Sequence, residues 1–206
     1  MAASTPNSTW ALIGQFKGTS STTSISGSYA ETEGGLEDQN VLTGNYSIST
    51  NGRSLFDSPQ LGRAIFYLTG PNSGFVLSGD ALGAMEAQTL PTGELGGRYL
   101  VSGTQIPVPN TGAFTGYVNI NQDGTGTWSS IVDVSAPIYG ATDLANGGEI
   151  SVIDANTGLI SMTVTNPSTY YHLMYAVTAN KLLDLDVDTS ANNQGVLWQA
   201  PGFWEK

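Results

Sequence analysis

Polar and apolar residues alternate with a period of two along much of this chain. The segments YSIST (46–50), TGTWSSIVDV (125–134), ISVID (150–154), LISMTVT (159–165) and LLDLDVD (182–188) all carry the pattern. Such alternation puts one kind of side chain on each face of an extended backbone, as half-buried β-strands require. Turn residues separate the segments: Asn51-Gly52, Gly70-Pro71-Asn72, Asp123-Gly124 and Asn156-Thr157-Gly158. Asn-Gly and Asp-Gly supply the positive φ angles that tight hairpins need. No stretch carries the 3.6-residue apolar stripe of a helix. The pattern predicts an all-β protein.

The same order of features occurs twice. LIGQF (12–16) returns as LGGRY (95–99), SGSYA (26–30) as FTGYV (114–118), and GLEDQ (35–39) as SIVDV (130–134). Further along, GNYSISTNGR (44–53) matches GEISVIDANTGL (148–159), IFYLTGPNSGFVL (65–77) matches LMYAVTANKLLDL (173–185), and GAMEAQ (83–88) matches GVLWQ (195–199). This predicts a flexible segment over 1–9, a β unit over 10–89, a linker over 90–94 and a second β unit over 95–206. Each unit is expected to hold about eight antiparallel strands joined by short loops. A meander of that length tends to close into a barrel, because closure removes exposed edges. A two-sheet sandwich and one continuous sheet are the alternatives. Within this frame, Glu37-Asp38 resembles a catalytic carboxylate pair, but the aligned second copy has Val132 where Glu37 stands. A turn needs only one residue that accepts a backbone N–H, so the pair is read as a corner.

Composition narrows the partners. Seventeen acids against six bases give a net charge of −11, which disfavours nucleic acid and anionic membrane surfaces. Cysteine is absent, so thiol nucleophiles, thiolate metal sites and disulfides are excluded. No apolar run approaches the roughly 18–20 residues needed to cross a bilayer as a helix. The opening MAASTPNSTW shows no basic n-region or apolar h-region, so no signal peptide is read in it. Only 11% of residues are charged, about half the usual share. Ser, Thr, Asn and Gly replace them, which fits an exported bacterial protein, extracellular or at the cell surface.

The residues GLEDQN, LTGNYSISTNGR, IFYLTG and GAMEAQ in the first unit, with GRYLVSG, GAFTGYVNINQDGTG, IVD and GVLWQ in the second, carry a resemblance. The chain resembles the repeated β domains of secreted proteins and lipoproteins common in Acidobacteria. The resemblance implies a tandem β fold and export, with a shortened opening repeat. It implies no activity and no catalytic residue.

Candidate chemistry is sparse. His172 is the only histidine, and no G-x-S-x-G elbow accompanies it; it is read as structural, sharing a strand face with Met174 and Ala176. Asp184, Asp186 and Asp188 project three carboxylates to one face, about 6.5–7 Å apart. They are the candidate metal site, for Ca²⁺ only, against the plainer reading of a solvated face opposite Leu183, Leu185 and Val187. Glu31, Glu33, Glu86 and Glu149 are the acids that glycoside hydrolysis would draw on. Tyr and Trp side chains such as Trp128, Tyr171, Tyr46 and Tyr67 either pack cores or stack on a ligand. The expected function is a non-enzymatic binding or structural module, with no catalytic residue and no cofactor beyond that calcium site. Carbohydrate is the first ligand class to test and a small apolar ligand the second, and self-association is a further expectation. A carboxylate-dependent glycan hydrolase or lyase is the alternative.

Overall fold

A computed structural model of the chain describes residues 2–4, 10–33, 36–78, 81–90, 95–105, 112–121, 126–136, 140–166, 169–186 and 202–206. These residues form sixteen strands and no helix. Strands β1 (Ala2–Ser4), β2 (Trp10–Thr19), β3 (Ser24–Glu33), β4 (Leu36–Ile48), β5 (Arg53–Ser58), β6 (Gly62–Gly70), β7 (Ser73–Ser78) and β8 (Ala81–Glu86) build the first barrel. Strands β9 (Gly97–Gln105), β10 (Gly112–Ile120), β11 (Thr127–Ala136), β12 (Gly140–Asp154), β13 (Leu159–Asn166), β14 (Tyr170–Thr178), β15 (Lys181–Asp186) and β16 (Gly202–Glu205) build the second. Both are antiparallel meanders closed on themselves, so the sandwich and the continuous sheet are not the fold.

The seams differ. In the second barrel β16 lies between β15 and β9. In the first, seven strands curl round and only the three-residue β1 bridges β2 and β8. Residues 2–4 therefore pair as a strand, where the sequence pattern gave a free segment. An unpaired β2 edge would expose its N–H and C=O groups, and β1 pairs with it at Ala11–Ile13. Glu37 and Asp38 are early residues of β4, paired with Thr32 and Glu31 just beyond the β3–β4 connection. Residues 91–94, most of the expected linker, lie outside the described residues.

Backbone hydrogen bonds show that the barrels are two copies of one design. Leu68 N–H donates to Gly52 O at 3.0 Å, and Ala176 N–H donates to Gly158 O at 2.9 Å. Ala87 N–H donates to Asn72 O at 2.8 Å, and Lys206 N–H to Asn180 O at 2.9 Å. The β2–β3 and β10–β11 turns each hold a residue of positive φ, Thr23 (52°) and Gly126 (68°), whose carbonyls accept from Tyr46 and Ile150. Both sixth strands bulge at the same place, between Leu68 and Gly70 and between Ala176 and Thr178. Strand βn of the first barrel thus corresponds to strand βn+8 of the second.

This correspondence keeps the 44–53/148–159 and 65–77/173–185 matches in register and corrects the three before them. β2 matches β10 rather than β9, and β3 matches β11, so Ala30 rather than Asp38 is the counterpart of Asp133. The closing strand GAME (83–86) matches GFWE (202–205), whereas GVLWQ (195–199) lies outside the described residues.

Apolar side chains on alternate residues fill the lumens. Leu12, Leu42, Phe56, Phe66 and Val76 occupy the first, while Tyr99, Trp128, Ile160, Met174, Leu182 and Trp204 occupy the second. A third cluster joins the barrels. The outward-facing Leu159, Leu173, Tyr175, Val177, Leu183 and Leu185 of β13–β15 pack on Ile13 and Ala30 of β2–β3. Tyr175 Oη lies 3.1 Å from Ser28 Oγ across this contact, and Gln88 Nε2 donates to Thr157 O and Ala176 O at 2.8 and 2.7 Å. Strand β14 is therefore buried on both faces, which explains its near-continuous apolar run LMYAV.

Two glycines let the longest strand of each barrel, β4 and β12, pass close to the next strand. A Cβ on Gly44 would overlap the carbonyl of Asp57, and one on Gly148 would overlap that of Thr163. The Thr163 carbonyl also accepts the Trp128 indole N–H at 3.2 Å. Gly148→Ala is expected to cost about 1–3 kcal/mol in urea unfolding through this overlap. Tyr99 is 0% exposed and its hydroxyl donates to Leu95 O at 2.7 Å. Burial pushes its pKa up to about 12. A raised folded-state pKa leaves stability intact below the unfolded value of about 10 and removes it as pH climbs through 12. Tyr99→Phe is expected to flatten that alkaline loss in pH-dependent denaturation. A remainder will persist from Tyr175, whose pKa burial also raises.

Candidate functional site

The two lumens depart from each other at particular positions, and there the chemistry lies. In the second barrel, β14, β15 and β16 bring His172, Asp184 and Trp204 together on the lumen side. Asp184 is 5% exposed. Its Oδ1 lies 2.9 Å from His172 Nδ1, and its Oδ2 accepts the Trp204 indole N–H at 3.2 Å. An ionised carboxylate has only acceptors to offer, so Nδ1 carries the proton in this contact. Burying a carboxylate is costly, and two donors offset much of that cost.

The first barrel shows that the fold does not need this cluster. Registers place Ala64, Val76 and Met85 at the positions of His172, Asp184 and Trp204. The same strands close there with no polar side chain. The trio is thus particular to the second barrel.

Asp184 corrects one reading of the acidic run. It does not lie on a solvated face; Leu183 and Leu185, expected opposite a solvated surface, face the first barrel instead. Asp186 follows on β15, its backbone paired with His172. Asp188 lies outside the described residues. Among the described residues no three His, Asp or Glu side chains converge as a metal site.

The first barrel departs in the opposite way. Its mouth, at the end carrying the β2–β3 and β4–β5 turns, opens into a cup of about 210 Å³. Phe16, Ile25, Tyr46, Phe66 and Met85 form the wall, with Gly18 and Ser54 set among them. Ile48 and Leu68 also line the cup, yet they are 56% and 42% exposed. The second barrel carries Ile120, Ile160, Trp128 and Trp204 where the first has Gly18, Ser54, Ile25 and Met85. Larger side chains fill that end; smaller ones leave it open. Ser54 contributes little polarity, since its hydroxyl already donates to Ser47 O at 2.8 Å.

The acids expected for glycan chemistry are dispersed. Glu86 pairs with Lys181 where the barrels meet, Glu31 accepts from Asn40 Nδ2 at 3.4 Å, and Glu149 is exposed on β12. Lys181 also bonds Glu205 at 3.1 Å, and its pKa is raised, with burial opposing and the two carboxylates prevailing. The groove between the barrels, about 220 Å³, has Glu86 as its one acidic wall residue among the described residues. No side chain of Glu33 is described.

Sequence reasoning missed both the cup and the role of Trp204. The 12–16/95–99 and 26–30/114–118 matches, one strand out of step, hid the contrast between Gly18 and Ile120. The shared G-x-x-E of GAME and GFWE was the signal that would have placed Trp204 on a lumen wall. The protein-family models and curated proteins compared with the chain give no match. Among the described residues no helix is long and apolar enough to cross a membrane.

His172→Ala is expected to destabilise the protein by about 3 kcal/mol, because it strips one partner from a buried carboxylate. The double variant His172→Ala/Asp184→Val, which installs the first barrel's residues, should recover most of that loss. Chemical denaturation of both variants measures the non-additivity.

Proposed function

We propose that this protein is a non-enzymatic, extracellular β-barrel module whose first barrel holds a small, predominantly apolar ligand in its mouth. The observation that carries the reading is the paired contrast at Gly18/Ile120 and Ser54/Ile160. One fold, used twice, buries Ile120, Trp128, Ile160 and Trp204 at one end of the second copy and leaves an aromatic-walled cup in the first. Small-molecule sites are concave and mostly apolar, with few polar groups, and this cup fits that description at the small end of the range. The low charge density and the resemblance to exported tandem β domains support the extracellular setting.

A carbohydrate fits the cup less well than an apolar ligand. Sugar hydroxyls need polar partners on release from water, and the wall consists mainly of Phe, Ile, Leu and Met side chains. A glycan hydrolase is also disfavoured. That chemistry needs two carboxyl groups about 5–10 Å apart in one cleft, and neither the cup nor the groove between the barrels offers such a pair among the described residues.

Titration with indole, followed by chemical-shift changes at Phe16 and Phe66, is expected to saturate, whereas glucose produces no shift there. Gly18→Ile/Ser54→Ile, which rebuilds the second barrel's filling, should abolish indole binding while the protein stays folded. Indole binding unchanged by this double variant, or glucose bound more tightly than indole, would overturn the proposal.

A further inference from the structure

The outer surface of the first barrel carries an apolar face that the second barrel's own packing explains. In the second barrel, Leu159, Leu173, Tyr175, Leu183 and Leu185 are covered by β2–β3 of the first. The corresponding residues of the first barrel are Arg53, Ile65, Tyr67, Phe75 and Leu77. Of these, Tyr67, Phe75 and Leu77 are 47%, 54% and 42% exposed. Leu55, Ile65, Leu77 and Leu82 stand directly opposite one another across β5, β6, β7 and β8, so the apolar row is continuous. Leu82, at its end, is 62% exposed. A contiguous row of this kind marks a docking surface more often than chance exposure.

The molecule contains a covered example of the same face, and that example specifies the occupant. What covers β13–β15 is the outer side of β2–β3, with Ile13 and Ala30 in the contact. In the second barrel the corresponding side belongs to β10–β11, where Thr115, Tyr117, Ile131 and Asp133 replace Ile13, Gln15, Ser28 and Ala30. Ile131 is 44% exposed there, and Thr115 and Asp133 are exposed with it. The replacements are complementary to those on the apolar face. Arg53 stands in place of Leu159, and Asp133 in place of Ala30, so each of the two faces carries one charge, and the two are of opposite sign. Tyr67 stands in place of Tyr175 and would meet Ile131 where Tyr175 meets Ser28.

We propose that the β5–β8 face of the first barrel docks on the β10–β11 face of the second barrel in another copy of this chain, repeating the relation between the two barrels within one copy. The contact is head-to-tail. Each copy offers one face of each kind, so the association does not close at a dimer but extends as an open row. Within one copy the connecting segment holds the barrels at high effective concentration; between copies that help is absent, and the association is correspondingly weaker. Closed barrels leave no long free strand edge, so this face-to-face contact replaces edge pairing as the route to assembly.

Sedimentation equilibrium of the intact chain over a wide concentration range tests the proposal. The weight-average mass is expected to rise with concentration past that of a dimer. Phe75→Glu on one face and Ile131→Glu on the other should each abolish the rise, with unfolding midpoints near that of the parent. An equimolar mixture of the two variants should form a heterodimer and nothing larger, since each keeps the face that the other has lost. Arg53→Asp and Asp133→Arg should each weaken the parent association, and the two together should restore it. Ser54→Ile in the cup should leave association unchanged, which separates this outcome from that of the ligand proposal. A parent that stays monomeric at every concentration, an Ile131→Glu variant that associates like the parent, or a variant mixture that stays monomeric would overturn it.

Discussion

Closing an alternating meander into a tube forces every second side chain of eight strands into one shared, narrow space. Most of the structure follows from that constraint. The strands have no freedom to relocate an ill-fitting residue, because a shift of one position would turn the whole strand inside out. What each inward position carries therefore decides what that level of the lumen is. A Trp or Ile seals it, a Gly or Ser opens it, and an Asp demands partners from the neighbouring strands. The chain contains all three outcomes. Ile120 and Ile160 help to seal the second barrel, Gly18 and Ser54 leave the cup in the first, and Asp184 is held by His172 and Trp204.

The outward positions obey a second constraint. A barrel buries only half its residues, and the other half must find water or a neighbour. On β14 and β15 the outward half is apolar, and the first barrel supplies the neighbour. The same strands of the first barrel are apolar outside as well, so one apolar design serves a covered interface in one copy and an exposed face in the other. Duplication explains this without special selection for each face. A unit built to stack on its predecessor keeps the stacking residues whichever place it occupies, and single substitutions such as Leu159 against Arg53 then tune each place.

The presence of two copies also makes the polar trio informative. A buried carboxylate in a lone barrel could be dismissed as one workable core among many. Here the sibling barrel closes the same three positions with Ala64, Val76 and Met85, so the polar version is not a requirement of closure. Its satisfied hydrogen bonds fix three strands against one another with a directionality that apolar packing lacks.

The sequence by itself determined the all-β class, the two units, and the face on which His172, Met174 and Ala176 lie, because period and turn chemistry are local properties that survive without coordinates. It also held the 65–77/173–185 correspondence, where both strands and the turn between them match in length. It misplaced the first three matches, over 12–39, because successive strands of a meander resemble one another, and a slip of one strand leaves alternation intact. Only the tertiary structure decided which apolar face meets a lumen and which meets the other barrel. Alternation tells two faces apart but cannot say that Leu183 and Leu185 turn toward a neighbour while Asp184 turns inward. The cup was equally hidden, since an opening is set by the summed volumes of residues from the β2–β3 hairpin, β5 and β8, which come together only when the tube closes.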